Sequence, residues 1–127
     1  MFLRAPDEVD KFAPLWSTLE DLVGLRGRRF FGAFFLASHE YHVCVQTQEG
    51  DDASTLGLES GTLPGGSFLR QRLRGEAPGI YDRIGPTFEM LRTLAAVDPG
   101  RPGIEFYRSH GEIDCLLPIL EADAPLA

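Results

Sequence analysis

Ser38-His39, then four residues, then Cys44 recurs as Ser109-His110, four residues, Cys115, an offset of 71. Upstream, at an offset of 72, Val9, Phe12, Trp16, Leu19, Leu22 and Val23 fall on Tyr81, Ile84, Phe88, Leu91, Leu94 and Ala95. Two matches of this kind constrain the fold more than any composition does. They predict an internal duplication, and two like halves meet along a seam where a ligand cleft can form. The change of one residue in offset reads as an insertion or deletion between helix and strand.

Each half runs from apolar residues at helical spacing into a short aromatic or β-branched stretch, a turn, and an alternating stretch: helix, strand, strand. The first helix is expected over Pro6 to Val23, with Pro6 at its start, Asp7 and Glu8 at its positive end and Gly24 as its stop. Strands are expected near Arg28 to Leu36 and Glu40 to Gln48. The second helix falls within Ala77 to Val97, kinked or split at Gly85-Pro86, and strands follow near Gly103 to Arg108 and Glu112 to Ile119.

The second half has an extra strand at Ser67 to Arg74, after the turn Leu63-Pro64-Gly65-Gly66. Subtracting 72 from it runs off the start of the chain, so the first copy is expected to be truncated. The expected architecture is α+β: duplicated (β)αββ-βαββ units, an antiparallel sheet with two helices on one face, and a ligand cleft between the halves. Repeat one spans about 1–48, the linker 49–64 and repeat two 65–120 of a single domain. A missing edge strand would leave unpaired backbone groups, which predicts a homodimer in which a neighbouring chain or the segment Met1 to Pro6 covers that edge.

At 127 residues, 43% hydrophobic and 24% charged, the chain suits one soluble domain, with no apolar run of membrane-spanning length and no signal peptide in Met1 to Arg4. The expected compartment is the cytoplasm. There, Cys44 and Cys115 are two buried thiols rather than a disulfide. A net charge of −7 argues against direct nucleic-acid binding. The arginines at 26, 28 and 29 and at 70, 72 and 74 read as solvated strand ends.

Leu63-Pro64-Gly65-Gly66-Ser67-Phe68, a helix containing Ile80-Tyr81, Arg101-Pro102-Gly103-Ile104-Glu105-Phe106-Tyr107-Arg108 and the terminal strand Ile113 to Ile119 together resemble the GyrI-like small-molecule-binding domain. Ala13-Pro14-Leu15-Trp16 is similar to that family's first helix. The domain also serves as the effector-binding module of bacterial multidrug-responsive transcription regulators. The resemblance implies both helices on one face of the sheet and, on the other, an aromatic cleft for flat, lipophilic, often cationic compounds. The glutamate central to binding corresponds to Glu105. Some free-standing members hydrolyse cyclopropane-bearing genotoxic natural products with the same glutamate. One departure is Phe34, where tyrosine is common; phenylalanine keeps a stacking surface but lacks a hydroxyl.

Glu105 and Tyr107, two apart on a strand, share a face, and Ile104 and Phe106 take the other. If Ile104 and Phe106 meet the helices, Glu105 and Tyr107 face either solvent or the cleft. Trp16 is a core residue or part of the pocket wall, and Tyr81 is core by spacing but within reach of the cleft rim. The expected ligand-binding set is Trp16, Phe34, Tyr81, Glu105 and Tyr107; in a hydrolase, Glu105 and Tyr107 would be catalytic. His39, Glu40, His42 and Cys44 do not make a metal site, because His39 and His42 point oppositely and no fourth ligand is near. Neither a nucleophile elbow nor a phosphate loop is present, and no cofactor is expected. Three functions fit: capture of lipophilic or cationic aromatic compounds, hydrolysis of a strained ring, or docking of a protein partner at an open sheet edge.

Overall fold

The structure is a computed structural model describing residues 1–120. It is α+β, with one open antiparallel sheet of six strands: β1 (Phe2–Pro6), β2 (Phe30–Phe35), β3 (Glu40–Val45), β4 (Phe68–Arg74), β5 (Gly103–Ser109) and β6 (Glu112–Pro118). Their spatial order is β1-β3-β2-β5-β6-β4. Helix α1 (Val9–Val23) connects β1 to β2, a single turn α2 (Ala53–Leu56) lies between β3 and β4, and α3 (Gly79–Asp82) and α4 (Ile84–Arg92) connect β4 to β5.

The second helix is split, as Gly85-Pro86 suggested. Pro86 falls in the first turn of α4, where its missing N–H has no carbonyl to serve, so the break occurs just upstream at Arg83. The first helix begins later than expected. Pro6 ends β1, Glu8 is the N-cap, and Gly24, at φ 74°, stops the helix while its N–H bonds the Glu20 carbonyl. The apolar stripe is also narrower than its spacing implied: Val9 is 82% exposed and Leu94 65%, while Leu19 and Leu91 are fully packed.

The expected truncation is overturned. Residues 2–6 form β1 and pair with β3, so the edge that motivated a homodimer is occupied within the chain. Register explains why the subtraction failed. Phe2 pairs with Cys44 and Arg70 with Leu116. Cys44 and Leu116 are 72 residues apart, but Phe2 and Arg70 only 68, because the connection from edge strand to helix is longer in the second half.

Side-chain parity sets the two faces of the sheet. Phe30 and Phe34 pack with Tyr41, Val43 and Val45 under Phe12, Trp16 and Leu19 of α1. Phe34 also meets Phe88 of α4 edge-on at 4.8 Å and joins the cluster of Leu73, Ile113, Cys115 and Leu117. Both helices therefore cover one face, with Phe34 bridging two cores. On the other face Phe31 stacks on Phe106 at 4.7 Å, and His42 lies between Phe2 and Phe35. The two cysteines are free and buried. They do not occupy equivalent places: Cys115 is in the core under α4, whereas Cys44 pairs with Phe2 and Phe31 on the helix-free face. The offset of 71 therefore does not align the cysteines, and between β3 and β6 core parity follows 72, matching Val43 to Cys115, whereas between β2 and β5 it follows an odd offset.

Candidate functional site

Gly32 sits directly across from Glu105 in the central strand pair, and Phe34 across from Gly103. These two glycines make the site. A Cβ on Gly32 would overlap the Tyr41 hydroxyl and Glu105 Oε1, and one on Gly103 would overlap the Phe34 ring. Without side chains at both positions, a carboxylate and an aromatic ring can lie flat on the sheet beneath the helices.

Glu105 and Tyr107 consequently point toward the helices, and Ile104 and Phe106 to the open face. This reverses the expected placement and, with it, the expectation that the carboxylate and the helices lie on opposite faces. The cause is the space over Gly32 together with the Phe31–Phe106 stack, which fixes the opposite parity.

The Glu105 side chain is 7% exposed and accepts two hydrogen bonds on the same oxygen. Tyr41 donates to Oε1 at 2.7 Å and Tyr107 at 2.6 Å. Trp16 Nε1 donates in turn to the Tyr41 hydroxyl at 3.3 Å. The result is a relay from α1 through β3 to β5, with donors oriented toward a carboxylate. Oε2 accepts no hydrogen bond from the described residues. One oxygen carries both tyrosine bonds and the other carries neither.

Burial raises the Glu105 pKa above its ordinary value of 4.5, against the tyrosine bonds that lower it; the charge of Asp7 pushes further upward. Tyr41 and Tyr107 are both pushed well up, first by burial and then by the Glu105 charge, so both remain protonated donors at neutral pH.

Around this carboxylate the structure gathers the residues singled out in the sequence. Trp16 meets Tyr107 edge-on at 5.1 Å, and Tyr81 lies 6.5 Å from Tyr107. Tyr81 is 48% exposed, so it is a surface residue rather than core. Trp16 combines both readings, packing in the first core while its indole N–H serves the relay. Phe34 lines the same face at the junction of the two cores. Tyr41 was missed by sequence reasoning. It pairs with Phe34 across β2 and β3, and supplies a hydroxyl next to the position where Phe34 has none. The available signal was its phase on β3, in step with Val43 and Val45.

Two surface depressions have volumes of about 460 and 330 Å³: the first lies away from Glu105, against Arg70, Arg72, Arg74 and Arg83, and the second, against Arg28, Arg29, Phe106, Tyr107, Arg108 and Glu112, includes Tyr107 of the site. His42 is held between aromatic rings, and His39 occupies the β2–β3 turn at φ 54°, so the two histidines do not converge. Among the described residues no helix is long and apolar enough to cross a membrane. Comparison of the chain with family models, with curated proteins and with solved structures returned no match.

Proposed function

We propose that this protein captures lipophilic, aromatic or cationic small molecules over the central strands between α1 and α3–α4, with Glu105 as the charged anchor. The observation that carries this reading is the asymmetry of the Glu105 carboxylate. Two tyrosine hydroxyls fix Oε1, Oε2 accepts no bond from the described residues, and the donor Tyr107 has Trp16 and Tyr81 as aromatic neighbours. A carboxylate under aromatic rings is costly to ionise alone, and a cation with a flat apolar body relieves that cost. A cleft of the kind the GyrI-like resemblance implies would then lie on the helix-covered face instead of the opposite one. The matching order of β1-α1-β2-β3 and β4-α3/α4-β5-β6, with core positions of α1 and α4 and of β3 and β6 at an offset of 72, supports reading them as two copies of one unit.

The test is titration of a cationic aromatic dye and a neutral isostere into the wild type and Glu105→Gln. Loss of a desolvated charge contact should cost the cation about 1–3 kcal/mol and leave the neutral compound nearly unchanged. Equal loss for both would reject Glu105 as the anchor. A carboxylate with both tyrosine bonds on Oε1 also fits a hydrolytic reading, in which Oε2 orients water against a strained ring while Tyr107 serves as donor. Turnover of a cyclopropane-bearing compound that vanishes in Glu105→Gln would favour catalysis over capture.

A further inference from the structure

The strand β4 ends the sheet, and its outer edge differs from that of β1. At the β1 edge, Phe2 and Glu59 exchange two backbone hydrogen bonds, at 2.9 and 3.0 Å, so the linker caps that side. At β4, Ile119 N–H donates to the Ser67 carbonyl and Gly75 N–H to the Gly111 carbonyl. Those bonds fix the alternation between them. Odd-numbered residues direct their backbone groups at β6, and Phe68, Arg70, Arg72 and Arg74 direct theirs outward. Two outward carbonyls are bonded only by side chains: Arg83 Nη1 donates to the Arg74 carbonyl and Gln71 Nε2 to that of Arg72. Both groups of Phe68 and Arg70, and the N–H groups of Arg72 and Arg74, have no backbone partner among the described residues.

The same three arginines place their side chains together on the helix-free face, in a chain whose net charge is −7. Arg72 is committed to Asp114 at 2.8 Å. Arg74 approaches Glu112 only at 3.6 Å and is 71% exposed, and Arg70 has no ion pair among the described residues. With Arg83 and Gln71 they line the 460 Å³ depression along this edge. Unpaired ladder groups and the loosely held cations of Arg70 and Arg74 thus lie along one edge.

We propose that the β4 edge receives an extended acidic segment of a partner protein, which adds as a seventh strand and sets carboxylates beside Arg70 and Arg74. Main-chain bonds supply the affinity of such an addition and alternate side chains its selectivity. Positive edge charges ordinarily deter strand pairing. Here they deter a second copy of this chain, because β4 against β4 would bring arginine rows together, and they select a strand of opposite charge.

The probe is a fluorescein-labelled peptide of alternating Glu and Thr, seven residues long to match β4, followed by anisotropy. Three comparisons accompany it: the peptide with alternate backbone N-methylation, a Lys-Thr peptide, and a single-stranded oligonucleotide of equal charge. Amide chemical shifts should move at Phe68 to Arg74. Arg70→Glu with Arg74→Glu should weaken binding by about tenfold or more, since two weak surface pairs become repulsions. N-methylation should weaken it comparably while leaving charge unchanged. Arg72 is left intact so that its bond to Asp114 keeps the fold. Undiminished binding of the N-methylated peptide, undiminished binding to the double variant, or tighter binding of the oligonucleotide would overturn the proposal. So would a dimer in solution that buries the β4 amides.

Discussion

Replacing Gly32 with alanine should break the Glu105 relay from below. The added methyl would occupy the space of the Tyr41 hydroxyl and of Glu105 Oε1, both held in place, the first by Trp16 and the second by Tyr107. At least the Tyr41–Glu105 bond must open. A hydrogen bond to a charged group is worth about 1.5–3 kcal/mol, and overpacking a core adds about 1–3 kcal/mol. Alanine recovers about 0.5–1 kcal/mol over glycine in a strand through chain entropy. The steric and hydrogen-bond losses win, leaving a net destabilisation of about 2–5 kcal/mol. That is a large part of the ~5–15 kcal/mol typical of a domain.

Urea unfolding followed by Trp16, the single tryptophan, reads both global stability and the relay that this indole joins. With an m-value of ~1–3 kcal/mol/M, the midpoint should fall by about 1–2 M. The Tyr41→Phe background makes the test specific, because it removes one of the two atoms that the methyl meets. The cost of Gly32→Ala should shrink there by about 1–3 kcal/mol as a coupling energy. A Gly32→Ala midpoint within ~0.3 M of wild type, or additive costs in the double variant, would show that Gly32 does not hold space for this carboxylate.

Two further outcomes follow from the same geometry. Because burial raises the folded-state pKa of Glu105 above 4.5, the unfolded chain releases this proton first. Stability from this group is therefore complete below about pH 4.5 and is lost as pH rises through the higher folded value. Glu105→Gln keeps an acceptor for both tyrosines and removes that loss, so its urea midpoint should gain on wild type as pH rises from 4.5. Each tenfold difference in proton affinity between the folded and unfolded chains is worth ~1.4 kcal/mol, and parallel midpoint curves would refute the assignment. Removal of residues 1–5 should destabilise the monomer, since it strips the β1 pairs from β3 and takes buried Met1 out of the first core. Unchanged thermal unfolding of the shortened chain, with a monomeric mass by light scattering, would contradict the role given to β1.

How much of this was legible in the sequence depended on whether a signal was periodic or pairwise. Helical spacing located α1 and α4, and Gly85-Pro86 located the split between α3 and α4, because these signals are local. The first edge strand was invisible to the repeat argument. The strand in the corresponding place, β4, precedes its helix by a connection four residues longer, and a fixed offset cannot follow a change in loop length. Period-two reasoning placed Glu105 and Tyr107 on one face, but the face itself was undetermined. Both faces of the central strands carry large apolar residues, Phe30 and Phe34 on one and Phe31 and Phe106 on the other, so alternation alone gave no inside.

What distinguishes the faces is a pairwise fact, the registration of Gly32 against Glu105 and of Gly103 against Phe34. A glycine opposite a glutamate means little until the strands are aligned. Once they are, the space over the glycine shows where the carboxylate must lie, because only on that face is there room for Oε1 and two hydroxyls. Tyr41 enters by the same route. On its own strand it reads as a core residue in step with Val43 and Val45, and only its alignment with Phe34 brings its hydroxyl to Glu105. The site is thus specified by absences on β2 and β5 and by donors on β3 and β5, so its chemistry is distributed across both halves of the chain. This distribution gives Gly32 and Tyr41, both in the first half, a larger expected effect on Glu105 in the second half than any neighbour of Glu105 in sequence except Tyr107.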